Sequence, residues 1–66
     1  MISAMTGTVT EFDADIGLGV IDTDGVRYPF HCIEIADGTR TIAVGADVAF
    51  DVLPKLGRYE AAGIRS

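Results

Sequence analysis

His31 and Cys32 are the only histidine and the only cysteine in the sequence, and they are adjacent. A thiol beside an imidazole is the composition of a nucleophile–base pair. Within a regular strand, neighbouring side chains leave opposite faces of the sheet. That geometry keeps the two from sharing a proton and makes Cys32 a small filler. One histidine and one cysteine also fall short of the ligand set of a zinc site. Asp13-Ala14-Asp15 opens like a calcium loop, but Gly17 and Leu18 stand where the next oxygen ligand and the turn glycine belong, so the segment reads as a turn. Gly17-Leu18-Gly19 is not a dinucleotide fingerprint, because no third glycine and no helix follow. No catalytic residue, metal or cofactor is expected, and the chain is not expected to be an enzyme.

Binding chemistry has one local candidate. Lys55, Arg58 and Tyr59 form the single basic-plus-aromatic cluster, able to hold a phosphate and stack one base. The alternative for the same residues is a solvated hairpin tip. Arg27 and Arg40 read as isolated surface charges. Against any polyanion stands the balance of five basic and ten acidic side chains, a net charge of −5. Such a chain repels phosphate at long range, whereas nucleic-acid binders show a basic stripe. Contact with nucleic acid must therefore rest on a small local patch.

The elements that would position these groups are strands. Sixty-six residues make one small domain, 48% apolar and 23% charged, with eight glycines, two prolines and no tryptophan. That profile suits short strands and tight turns better than helices. The sequence holds no apolar run long enough to span a membrane. It shows no basic stretch ahead of an apolar core, so no secretory leader is expected, and a cytoplasmic location is the default. A domain this small has little room for a substrate cavity, so no small-molecule substrate is expected.

Met5 to Asp13 reads as the first strand, with residues 1–4 a short extension and residues 5–66 the domain. Leu18 to Asp22 reads as the second strand. Asp24-Gly25 is a two-residue hairpin signal, because a type I′ turn needs positive φ at both central positions. Val26 to Cys32 returns as the third strand, with Pro29 demanding an edge or a bulge. Ile33 to Ala43 is a long connection with one helical turn near residues 33–36. Val48, Phe50 and Val52 alternate with Asp47, Ala49 and Asp51, the clearest period of two in the chain. Pro54 to Gly57 reads as a loop, and Arg58 to Ile64 as the last strand. A flat sheet of five such strands would expose two long edges. The expected fold is therefore all-β, a five-stranded antiparallel barrel of the OB or SH3-like kind.

The segment from Gly7 to Ile21, Gly-Thr-Val-Thr-Glu-Phe-Asp-Ala-Asp-Ile-Gly-Leu-Gly-Val-Ile, resembles the opening of the bacterial cold-shock proteins, G-x-V-K-W-F-N-x-x-K-G-F-G-F-I. Tyr28-Pro29-Phe30-His31-Cys32 lies where that family has V-F-V-H-F. Gly45, Val48 and Phe50 match G-x-x-V-x-F, and Glu60-Ala61-Ala62-Gly63-Ile64 resembles the closing Q-A-A-N-V. The resemblance spans about residues 5–65. It implies the OB-type cold-shock barrel, and binding of single-stranded RNA or DNA on one sheet face through stacked aromatic rings and lysines.

Position by position, the resemblance places the family's exposed tryptophan at Glu11, its first-strand lysine at Thr10 and its next lysine at Ile16. Its ring positions fall at Leu18, Val20, Pro29 and Cys32. Phe12 and His31 keep their family identity. Alternation sets Ile16, Leu18 and Val20 on the outer face and Gly17, Gly19 and Ile21 inward. Val9, Val48 and Phe50 join the inward set. The scaffold positions are thus retained while most nucleic-acid contacts are replaced. One base–aromatic stack is worth roughly 1–3 kcal/mol, so the expected activity is weak binding of single-stranded nucleic acid through Phe12, Leu18, Val20, His31, Lys55, Arg58 and Tyr59. The alternative is a protein-docking or self-association module, a homodimer being one version, that uses the apolar strip Ile16, Leu18 and Val20. No membrane partner is expected.

Overall fold

A computed structural model describes residues 2–36, 38 and 41–65, with side chains for all of these except residues 2–4 and 55. Five strands follow in order: β1 (Ile2–Asp13), β2 (Leu18–Thr23), β3 (Val26–His31), β4 (Asp47–Lys55) and β5 (Arg58–Arg65). They form one antiparallel sheet in the order β3-β2-β1-β4-β5. The edge strands β3 and β5 lie near one another, but no ladder joins them and the sheet is not closed. Among the described residues, no helix is long and apolar enough to cross a membrane.

β1 organises the sheet. Its first half pairs with β4, from Ile2 opposite Val52 to Thr8 opposite Asp47, and its second half with β2, from Thr8 opposite Asp22 to Asp13 opposite Leu18. Residues 2–4, set apart in sequence as an extension, continue this strand because β4 runs long enough to pair with Ile2. β1 carries one extra residue between Ile2 and Met5 and another at Thr10; β5 carries one opposite Phe50. A bulge bends a strand and sharpens its twist. Three in one small sheet wrap its inner face around Val9, Ile21, Phe30, Ile35, Val48, Phe50, Val52, Ala61 and Ile64, all buried.

Two hairpins are tight. Asp24 and Gly25 have φ of 50° and 79°, the type I′ requirement expected from Asp-Gly. The segment read as a loop from Pro54 to Gly57 is instead strand as far as Lys55, and the turn is only Leu56-Gly57, with φ of 45° and 86°. Leucine gives no turn signal, so the sequence allowed a hairpin tip here without showing how tight its turn is.

β3 ends at His31, one residue before the sequence reading, and Cys32–Glu34 form a single 3-10 turn. The Cys32 N–H donates to the Gly17 carbonyl at 2.7 Å. β3 is a sheet edge, as Pro29 demanded. The two-residue turn makes Thr23 and Val26 a hydrogen-bonded pair, and alternation then aims the backbone of Arg27, Pro29 and His31 away from β2. Proline's missing N–H therefore removes no ladder bond.

Candidate functional site

The outer face of β2 follows the expected alternation. Ile16 and Leu18 are 62% and 48% exposed, Val20 is half-buried, and Gly17, Gly19 and Ile21 are buried. Across the sheet Val20 sits between Glu11 of β1 and Pro29 of β3, and Leu18 between Asp13 and His31. An open groove of about 550 Å³ runs over this surface. Ile16, Leu18, Val20 and Pro29 supply apolar wall, Phe12 supplies part of its ring above the buried Phe30, and His31, Arg58, Glu60, Glu11 and Asp13 supply polar groups.

Phe12 does not stand where the sequence reading put it. The cold-shock resemblance implies the outer face that carries Leu18 and Val20. The extra residue at Thr10 resets the register, so Phe12 lies opposite Gly19, on the inward side. Its ring stacks on Phe30, centroids 6.1 Å apart and planes within 8°. These two side chains come from strands flanking β2 and meet above Gly19. A Cβ there would lie 2.4 Å from the Phe30 ring and 2.8 Å from the Glu11 carbonyl oxygen. The absent side chain is what lets the rings meet. Phe12 remains half-buried and lines the groove, offering part of its ring rather than a free face.

The basic cluster is divided by the pleat. Arg58 lines the groove, but Tyr59 shares the parity of buried Ala61 and is not part of the groove lining, although 60% exposed. The Lys55 side chain lies outside the described residues. Arg58 Nε lies 3.8 Å from Glu60 Oε2. Arg27, read as isolated, pairs with Glu11, both more than half exposed, so the pair contributes about 0–1 kcal/mol. Arg40 lies outside the described residues. Among the described residues the groove lining thus carries three carboxylates, Glu11, Asp13 and Glu60, and one arginine.

The His31–Cys32 relation also differs from the sequence reading. The alternation argument assumed a strand through Cys32. Because β3 stops at His31, Cys32 turns back and its Sγ lies 3.9 Å from His31 Nδ1. Cys32 still packs as filler, half-buried against the core, with its sulfur where a Gly17 Cβ would fall. Among the described residues, no group of three His, Cys, Asp or Glu side chains converges on one point.

The sequence reading missed Glu60 as a groove residue. The apolar-polar alternation of β5 could have aligned Glu60 with Arg58 on one face; nothing in the sequence brings β5 beside β3. Compared with known proteins, the chain matches no family model and no curated protein.

Proposed function

We propose that this chain is a cold-shock-type domain of OB-barrel topology that binds single-stranded nucleic acid weakly, in the cytoplasm, and without catalysis. The observation that supports this reading best is the convergence of Phe12, Leu18, Val20, His31 and Arg58 on one open groove of the curled sheet. These are five of the seven contacts that the cold-shock resemblance and the basic cluster named in the sequence. The strand shared between two ladders, the three bulges and the adjacent edges suit a barrel of that kind.

Weakness follows from what the groove contains. Leucine, valine and proline replace rings, and the one full ring pair is spent partly on itself. Aliphatic wall still desolvates a base, but each lost stack removes part of roughly 1–3 kcal/mol. The carboxylates oppose phosphate, and among the described Lys and Arg side chains Arg58 is the one lining the groove that attracts it.

A fluorescence titration with oligo-dT at low salt tests the reading, comparing the protein with a Glu11→Trp, Leu18→Phe, Val20→Phe variant. Weak binding that strengthens at least tenfold in the variant is expected. No binding by either protein would sink it. The carboxylates bordering exposed Ile16 and Leu18 and half-buried Val20 favour a second reading, in which the strip docks a protein. Leu18→Asp then leaves the fold intact, since Leu18 is half in solvent, and abolishes association seen by sedimentation. Equal sedimentation of variant and parent removes that reading.

A further inference from the structure

The outer face of β2 offers a ligand side chains and no backbone. β2 lies between β1 and β3 with a ladder on either side, so its N–H and C=O groups are already engaged. Strand addition needs a free sheet edge, so a peptide cannot join this face as a strand. A peptide that covers the strip must satisfy its own backbone, as a helix does.

Register gives the strip an acidic border. On the β1 side Glu11 stands opposite Val20 and Asp13 opposite Leu18. A carboxylate thus accompanies each apolar side chain at the two-residue spacing of a strand, about 6.8 Å. On the β3 side the partners are Pro29 and His31. Arg27 pairs with Glu11 from β3, but an exposed pair of this kind holds its partner weakly. Counting Arg27 with the groove lining, carboxylates outnumber Lys and Arg three to two among the described residues.

Charge chooses among the occupants. A polyanion meets the acidic row directly. A second copy brings the same carboxylates and a net charge of −5, and like charges facing across an interface oppose it. Its own helix, among the described residues, is a three-residue 3-10 turn. A foreign helix with an apolar stripe and cations along one flank answers both rows. Four residues advance it about 6 Å, close to the spacing of Leu18 from Val20 and of Glu11 from Asp13.

We propose that this face docks a basic amphipathic helix of another protein, its apolar stripe on Ile16, Leu18 and Val20 and its lysines or arginines along Glu11 and Asp13. This rests on the docking reading given above and adds to it the partner's charge and conformation.

The probe is a labelled leucine–lysine peptide of about 18 residues, past the length at which isolated helices are marginal. Its binding is followed by fluorescence anisotropy at low salt, beside a leucine–glutamate counterpart. Leu18→Asp removes apolar contact and adds a carboxylate, and is expected to weaken binding of the lysine peptide at least tenfold. Diffuse attraction to an acidic protein would leave binding equal or tighter, and that result overturns the docking reading and the proposal together. A Glu11→Gln, Asp13→Asn variant keeps the strip, and asparagine at position 13 keeps the oxygen that accepts the Asp15 N–H. All three positions are exposed, so far-UV circular dichroism of both variants is expected to match the parent. The double variant is expected to bind the lysine peptide roughly three- to tenfold more weakly at low salt, and like the parent at high salt. Loss of binding in Leu18→Asp with none in the double variant keeps the docking reading and overturns the cationic partner. Equal binding of the glutamate peptide does the same. A parent that binds oligo-dT more tightly than the lysine peptide at the same salt assigns the groove to nucleic acid, and overturns the proposal.

Discussion

Gly19 shows how much of this surface depends on one missing side chain. Phe12 and Phe30 lie on either side of it in adjacent strands, and their rings close over it. Gly19→Ala forces its Cβ against both the Phe30 ring and a backbone carbonyl that cannot rotate away. Overpacking of this kind costs typically 1–3 kcal/mol, and a lowered urea midpoint of that size is expected. The near-UV spectrum should change with it, since the ring pair must separate. An alanine variant as stable as the parent would show that the pair is not held there by close packing. The same residue explains why Phe12 offers only part of its ring to a ligand: the space it would need to turn outward is taken by the stack.

At the level of elements, the bulges decide the surface. The extra residue at Thr10 moves Phe12 inward and leaves Glu11 outward, so one insertion sets what the groove presents. In β5 the extra residue falls where Gly63 has φ 58° and Ile64 turns into the core. Glycine reaches that conformation without strain, and asparagine is the side-chain-bearing residue that visits it routinely. Gly63→Val is expected to destabilise the protein by about 1–2 kcal/mol, and Gly63→Asn by clearly less, in paired urea melts. Equal losses would mean that backbone conformation is not the cause, and would direct attention to Asp51 Oδ2, 3.2 Å from the added Cβ. The Gly63 position also shows why an isolated glycine in a strand pattern is worth reading as a bulge.

For the whole molecule, charge is the governing quantity. At −5 it repels phosphate from a distance, and among the described residues Arg58 is the Lys or Arg side chain that lines the groove. One phosphate neutralised on a single strand gives a salt slope of about −0.7 in log K against log salt. A titration series in sodium chloride is expected to be this shallow. A slope several times steeper would mean a phosphate track that the groove does not contain. Binding carried by base contact rather than charge release is the form of nucleic-acid recognition an acidic surface allows.

Composition, period of two and the Asp-Gly turn signal were enough to read an all-β chain, the Asp24-Gly25 turn and the outward strip Ile16, Leu18 and Val20, while the inward placing of Val9, Val48 and Phe50 came with the cold-shock resemblance. The former are local properties, because alternation and left-handed turns are written in adjacent residues. The Leu56-Gly57 turn, the side taken by Phe12, the return of Cys32 toward His31 and the pairing of Arg27 with Glu11 were not legible. The first is a local turn that leucine does not signal and the third a local strand end, whereas the side taken by Phe12 and the Arg27–Glu11 pair depend on register between strands. A bulge shifts that register by one residue and exchanges the two faces of everything beyond it. Only the folded sheet decided which side chains share the groove.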